Sequence, residues 1–375
     1  MTARHDVAVV GGGPAGAAFA VELARAGRDV VLVEREGGPH DKVCGEFLSG
    51  EALGYLAALG VDVGALGAVP VEIVRVSHGS VSAQRALPFR AASLSRRRLD
   101  EALLARAAGA GVAVLRGSAV RDLRQVLGGW SARLENGTEL IAREAALATG
   151  KHDLRGRRRP PGRQNDLIGL KAHFRLRPSA TAELARAVEI GLFEGGYAGL
   201  ELVEDGIANL CLVVRAETFA GHGREWASLL AAVMAAAPRL GELLKGASPR
   251  HERPLAVARI PYGLVRPDAE DGLWRLGDQA AVIPSFAGEG MSIALHSARL
   301  AALTMLGGAD SQTFQRRLAA DVTRQVGLAT LLSQALMLSV AQTAGAAVAR
   351  VFPATLAAVA AATRIRPSAI LLQAD

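Results

Sequence analysis

The sequence predicts an α/β protein in which a parallel-sheet nucleotide-binding domain is interrupted by an antiparallel sheet and followed by a helical C-terminal tail. Three observations carry this. The stretch DVAVVGGGPAGAAFAVELARAGRDVVLVER (6–35) reads as strand, glycine turn, helix, strand. A second strand, Pro/Gly-rich loop and helix follow at 272–302. Between them lie runs that alternate apolar and polar residues, the period of strands with one solvated face. At 375 residues the chain exceeds one average core, so a discontinuous domain with an insertion fits its length.

Val7, Val9 and Val10 form a short buried strand, and helical periodicity runs from Ala15 to Ala26, where Gly27 ends it. VVLVE supplies the second parallel strand, and GEALGYLAALGV reads as a helix. VEIVRVSHGSVSAQRALPF (71–89) alternates like an antiparallel pair. SLSRRRLDEALLARAAGAGVAVLRGSAV returns to helix then strand, and WSARLENGTELIAREAALATG is a hairpin turning on Asn136-Gly137. Further strands are expected at LIGLKAHFRL, VEIGLFEGG, YAGLELVEDG and IANLCLVVRAE, then a helix over 222–245, a strand over 254–262, and helix from 311 onward. The nucleotide-binding domain is therefore expected at 1–70, 90–165 and 263–310, the inserted sheet domain at 71–89 and 166–262, and the helical tail at 311–375.

The chemistry concentrates in two glycine motifs. In GGGPAG, Gly11 permits the tight turn, Gly13 lets backbone approach a pyrophosphate, and Gly16 lets the helix pack on the strand, while Pro14 and Ala15 open the helix whose N–H groups face the phosphates. Glu34 ends the second strand 18 residues after Gly16, with Arg35 beside it. A carboxylate there accepts from a ribose 2′-OH and repels a 2′-phosphate, so this site suits FAD or NAD and not NADP. In GDQAAVIPSFAGEGM, Asp278 is placed to take a ribityl hydroxyl. Pro284, Gly288, Glu289, Gly290 and Met291 form a loop exposing N–H groups at a helix start, where negative charge on a reduced flavin is stabilised. Two distant motifs suit one long cofactor gripped at both ends, which points to non-covalent FAD.

Composition removes other classes. Hydrophobic residues make up 50% and charged residues 21%, leaving no disordered block. The net charge of +7 rests on Arg, with a cluster at RGRRRPPGR (155–163) that suits anionic ligands or an anionic membrane face. Aromatics at 4% and the lack of a recognition motif argue against nucleic acid. Cys44 and Cys211 form no C-x-x-C pair, which excludes a disulfide framework and a cysteine zinc site and fits a reducing cytoplasm; no metal is expected. The opening MTARHDVAVVGGG is not patterned as a signal peptide, and Arg350 and Pro353 interrupt the most membrane-like stretch, 344–362.

The chain resembles the FAD-dependent oxidoreductase superfamily of p-hydroxybenzoate-hydroxylase-like monooxygenases, geranylgeranyl reductases and flavin halogenases, over about residues 5–310. The resemblance rests on VAVVGGGPAGAAFA…VVLVER, SRRRLDEALLARA, ALATGKHDLRG and GDQAAVIPSFAGEGMSIALHSARLAA. It implies a Rossmann-type FAD-binding domain, an FAD contact from Arg96 with Asp100 nearby, and a place by the adenine for the Val120 backbone. It also implies that Ala148, Thr149 and Gly150 lie near the FAD diphosphate and the nicotinamide path. The chain departs from the D-G-x-x-S-x-x-R motif of aromatic hydroxylases, having Thr149 in place of Asp, which weakens direct NADPH use. The halogenase G-W-x-W-x-I-P is absent, the tryptophans being Trp130, Trp226 and Trp274. KVCGEFLSG looks like the reductase branch, where this loop lies beside the flavin, with Cys44 and Gly45 as contacts.

The expected function is that of an FAD-dependent oxidoreductase, with monooxygenation of a hydrophobic aromatic or polyketide-type molecule preferred because most of the superfamily does that. The alternatives are a geranylgeranyl-reductase-like enzyme reducing C=C bonds of a prenyl or lipid substrate, and a non-catalytic flavin sensor. NAD(P)H or a partner reductase supplies electrons. Candidate catalytic residues are Cys44, Glu46 and His152. Cys44 reads first as a small pocket residue, Glu46 as a side chain pointing into the substrate cavity or a helix-cap acid, and His152 with Asp153 as an acid–base pair or a hydrogen-bonded loop. The tail is apolar on most faces and is expected to cap the cavity or to touch a membrane peripherally.

Overall fold

The structure, a computed structural model, describes residues 4–372, so the outermost ends of the expected first domain and tail lie outside the described residues. Strand β1 (Arg4–Val10) pairs in parallel with β2 (Val30–Glu34), Val9 lying opposite Leu32. Both strands are valine-rich because both faces are covered: Val9 and Leu32 pack with helical residues, and Val10 and Val33 with Leu123 and Trp130 of neighbouring strands. Helix α1 (Pro14–Arg25) connects them, starting on Pro14, whose missing N–H costs nothing at a first helical position, and burying Phe19, Val21 and Leu23. Strands β6 (Ala113–Arg116), β7 (Val120–Val126), β8 (Gly129–Leu134), β9 (Glu139–Leu147) and β16 (Leu273–Arg275) complete this sheet in the order β6-β2-β1-β9-β8-β7. The first half of β9 pairs with β8, and its last three residues pair with β16. Helices α3 (Arg96–Gly109) and α8 (Gly290–Leu306) pack on α1. The crossover direction reverses beside β1, and the Gly11 turn opens at that point.

The second sheet holds β3 (Phe47–Ser49), β4 (Val69–His78), β5 (Val81–Ser93), β10 (Leu167–Arg175), β11 (Ala187–Phe193), β12 (Gly196–Leu202), β13 (Ile207–Arg215), β14 (Ser248–Pro249) and β15 (Leu255–Ala258). Its order is β14-β10-β13-β12-β11-β4-β5-β3, with β15 also on β10; β4 and β11 run parallel and the other pairs are antiparallel. Leu170, Phe174, Leu210 and Leu212 on one face form a core with Leu229, Val233 and Leu240 of the covering helices. Those helices are α4 (Pro178–Leu184), α5 (Ala216–Gly221), α6 (Trp226–Ala236) and α7 (Pro238–Leu244), while α2 (Gly50–Ala58) packs on α8.

Four local expectations change. The single helix over 222–245 is two short ones, because Pro238 has no N–H to donate and forces Ala237 out of the helical region (φ −122°, ψ 79°). The strand over 254–262 is only Leu255–Ala258, ending before Pro261. The second sheet extends beyond 71–89, from Val69 to Ser93, and takes an edge strand, Phe47–Ser49, from the segment assigned to the first domain. The C-terminal helices α9 (Ser311–Ala335), α10 (Ser339–Val351) and α11 (Ala354–Ala362) are not an appended tail. Phe314 of α9 stacks 5.6 Å from Trp274, and both rings are buried in the core of the first domain. Truncating either to Ala would cost about 3–5 kcal/mol.

Candidate functional site

A cavity of about 1030 Å³ lies between the C-terminal ends of the parallel strands and the second sheet. It is lined by Gly11, Gly13, Pro14, Ala15, Glu34, Arg35, Cys44, Gly45, Glu46, Arg96, Val120, Thr149, Gly150, His152, Asp278, Gly288, Gly290 and Met291. Gly16, Pro284 and Glu289 were named with these residues but do not line it. Gly16 is packed under the turn, where an added Cβ would collide with the Gly11 carbonyl oxygen and meet Ala148 and Val9 at 3.1 Å. Glu289 is buried behind the lining residues Gly288 and Gly290, 2.8 Å from Arg364.

The phosphate end is built from backbone. Gly11 has φ +109°, a conformation side chains rarely adopt, and a Cβ there would strike the Ala148 carbonyl. Gly13 is different: an added Cβ would meet only the Arg96 Nη2, at 3.3 Å, so the space over it is open to the cavity. Helix α1 begins there without a side-chain cap, leaving its first-turn N–H groups free for an anion. Gly12 N donates to Glu34 Oε2 at 2.8 Å and Glu36 N to Oε1 at 3.1 Å, which fixes the Glu34 carboxylate at the cavity wall. A carboxylate oxygen has a second lone pair, so ribose hydroxyls remain acceptable.

At the other end, α8 also starts without a side-chain cap, and Gly288 (φ +67°) turns the preceding loop. Asp278 lines the cavity, and its carboxylate has no hydrogen-bond partner among the described residues. A cavity lined by the uncapped starts of two helices, a fixed acid and an unpartnered acid fits FAD by its donor set.

The loop DKVCGEF is clamped from three sides. Lys42 Nζ donates to Asp100 Oδ2 at 2.8 Å, and Arg96 makes a two-pronged pair with both Asp100 oxygens at 2.8 Å. Burial opposes the Asp100 charge, but Arg96 and Lys42 hold its carboxyl below the ordinary 3.8. Lys151 Nζ donates to the Val43 carbonyl at 2.7 Å, and Asn209 Nδ2 to that of Gly45 at 2.9 Å. Cys44 Sγ accepts from Glu46 N at 3.3 Å. Glu46 itself has φ +62°, a strained position for a non-glycine residue.

Its carboxylate does not point freely into the cavity, as one of the two expectations had it, and it caps a helix N-terminus only in part. Fully buried, it accepts from Lys171 Nζ, His173 Nε2 at 3.0 Å and Arg96 N at 2.8 Å. Burial alone would raise its pKa; Lys171 and His173 reverse that and hold it below 4.5. Asp41 approaches the same cluster, its Oδ2 3.9 Å from His173 Nδ1, while Glu46 is already paired with the Lys171 ammonium. Sequence reasoning singles out neither His173 nor the pairing of Lys171 with Glu46. Two polar residues at i and i+2 put both on one face of an otherwise apolar strand, and that was the available signal.

His152 lines the cavity but forms no acid–base pair with Asp153, whose carboxylate is taken by Arg159 Nε at 2.6 Å. Partial burial, then Arg35, Arg159, Lys151 and Lys42, hold His152 below its ordinary 6.5. Thr149 Oγ1 donates to the His152 carbonyl at 2.6 Å, so the residue replacing the family's Asp closes a turn. A hydroxyl network missed in the sequence completes the wall: Tyr262 donates to Ser285 Oγ at 3.1 Å, and Tyr197 meets the same oxygen at 2.8 Å. Tyr262 and Ser285 line the cavity, and burial pushes the Tyr262 phenol above its ordinary 10.

Residues 4–141 match the family model described as an FAD binding domain. Over 320 residues the chain is 28% identical to the menaquinone reductase of Mycobacterium tuberculosis, covering 79% of this chain and 75% of that one. A 61-residue stretch is 52% identical to the menaquinone reductase of Mycolicibacterium smegmatis and spans only 15% of that protein. Among solved structures, the flavin-dependent brominase Bmp2 superposes with a TM-score of 0.75 at 18% identity, over 95% of this chain and 89% of that one. Pseudomonas aeruginosa PqsL, solved with 2-aminobenzoylacetate, superposes with a TM-score of 0.72 at 19% identity, over 92% and 99%. These structural likenesses establish a shared fold.

Proposed function

We propose that this chain is an FAD-dependent oxidoreductase of the p-hydroxybenzoate-hydroxylase-like superfamily that reduces a carbon–carbon double bond of a hydrophobic, prenyl- or lipid-type substrate. The observation that carries the reading is the Lys42–Glu46 loop. It is the stretch that resembles the reductase branch, it lines the cavity, and Asp100, Lys151, Asn209 and Lys171 hold it rigid. Similarity along most of the sequence to a menaquinone reductase supports it.

Bound FAD supplies the two electrons as hydride, and NAD(P)H or a partner reductase replenishes them. The protein's part is to hold and to protonate. The uncapped start of α1 binds the diphosphate, Glu34 the ribose, and Asp278 the ribityl chain. The start of α8 stabilises negative charge at the ring. Leu255, Val257, Val282 and Ile283 give the cavity an apolar wall. Tyr262, kept protonated by burial and joined to Ser285, is the proton donor to the carbon that does not receive hydride. Tyr262→Phe should lower turnover about 10²-fold or more while FAD content is unchanged; unaltered turnover would remove Tyr262 from this role.

The second reading, hydroxylation of an aromatic or polyketide-type molecule, is favoured by the fold shared with PqsL. The two differ in product. Reduction adds two hydrogens without oxygen, and hydroxylation adds one oxygen atom and needs O₂, so turnover with and without air, read by mass spectrometry, separates them.

A further inference from the structure

Seven of the eleven exposed large hydrophobic side chains among the described residues fall between Leu331 and Val359. Helix α10 carries Val340, Val348 and Val351, and Leu338 and Phe352 flank its two ends. Its inner face, Gln342, Ala346 and Ala349, is buried on β4 and β5, and Gln342 Nε2 pins it by donating to the Phe193 and Leu336 carbonyls at 2.6 Å. Its outer face is apolar too: Val340 is 84% exposed, Val351 67% and the adjoining Phe352 63%. A soluble helix normally turns charge to water on that face.

The charge on helices α10 and α11 and on β5 has one sign. Residues 322–372 contain four Arg and no Asp or Glu. Strand β5, on which α10 and α11 lie, contributes Arg85 and Arg90 and no acid. Among the described residues, Arg85, Arg90 and Arg350 have no carboxylate partner within 4.0 Å, and all three are exposed. Helix α10 has 13 residues and bends 110° from α9, too short to cross a bilayer but shaped to lie along one.

We propose that the outer face of α10, with Phe352, is a docking surface for a bilayer bearing anionic headgroups. Apolar side chains enter the headgroup boundary while unpaired arginines meet lipid phosphates and carboxylates. The surface is joined to the cavity. Met337, in the turn that starts α10, packs in one apolar cluster with Tyr262 and Val282 of the cavity wall. Docking would therefore set the cavity wall close to a lipid phase, which deepens the reading of a lipid-type substrate and rests on it only for that last step.

The test is flotation of the full-length FAD-loaded protein with vesicles of phosphatidylcholine alone or mixed with phosphatidylserine, without substrate. Binding should rise at least about tenfold with the anionic lipid and fall in high salt. Val340→Glu with Phe352→Glu should abolish it, leaving FAD content and melting temperature unchanged. Absence of vesicle binding, or binding indifferent to those substitutions, overturns the proposal. A dimer seen by sedimentation equilibrium that the same substitutions dissociate would assign the face to a second copy of this chain and overturn it equally. Because no turnover is read, failure here leaves the reductase reading standing.

Discussion

The Arg364 guanidinium lies 2.8 Å from the Glu289 carboxylate, so a residue after the last long helices grips the residue that opens α8 at the edge of the cofactor cavity. Arg364 also makes a two-pronged pair with Glu51. One cation cannot neutralise both acids, part-buried Glu51 and fully buried Glu289. Glu51 is held below its ordinary value, and burial pushes Glu289 up to about 8.

That arrangement sets a pH dependence. A carboxyl whose folded pKa is raised keeps a proton the unfolded chain has lost, so stability falls as pH rises between 4.5 and about 8, by roughly 1.4 kcal/mol per pH unit for each such group. Glu201, also pushed to about 8 by burial, adds the same sign. Urea unfolding across this window should show a shallower decline in Glu289→Gln, and a shallower one still when Glu201→Gln is added. An unchanged slope would mean that both acids are ionised in the fold.

Glu46 has the opposite sign. Its pKa is held below 4.5, so its contribution is complete above that pH and is lost as pH falls through the depressed value. Glu46→Gln leaves the Lys171 ammonium buried without its counter-charge and should destabilise by about 3–5 kcal/mol at neutral pH. Adding Lys171→Met should restore most of that, a result chemical denaturation can read directly.

Gly13 and Gly16 separate cofactor binding from folding. A side chain at Gly13 enters open cavity, so Gly13→Val should give folded protein without yellow cofactor. A side chain at Gly16 strikes the Gly11 carbonyl, so Gly16→Val should lower the melting temperature of the cofactor-free protein as well. Full flavin content in Gly13→Val would contradict the phosphate site.

What was legible in the sequence was local. The Gly11–Gly16 turn, its flanking strands and Glu34 are contiguous, and the physics of a strand–turn–helix unit fixes their relative places. The hairpin at Asn136-Gly137 was legible for the same reason. The partners of Glu46 were not: Lys171 and His173 arrive from a strand 125 and 127 residues on, and nothing near Glu46 announces them. Arg364, 75 residues beyond Glu289, reaches it only because the final helices fold back over β5. Pro238 is visible in the sequence, but the run of alanines and leucines around it reads as one helix, and only the folded chain shows the break.

The central claim is tested most directly by one anaerobic single turnover. FAD-loaded protein is reduced, mixed with a polyprenyl lipid, and the product is weighed by mass spectrometry as the flavin absorbance returns. Reduction of a side-chain double bond predicts flavin reoxidation without oxygen and a product heavier by two hydrogens that survives re-exposure to air. A flavin that stays reduced until air is admitted, with a product that has gained an oxygen atom, would contradict it.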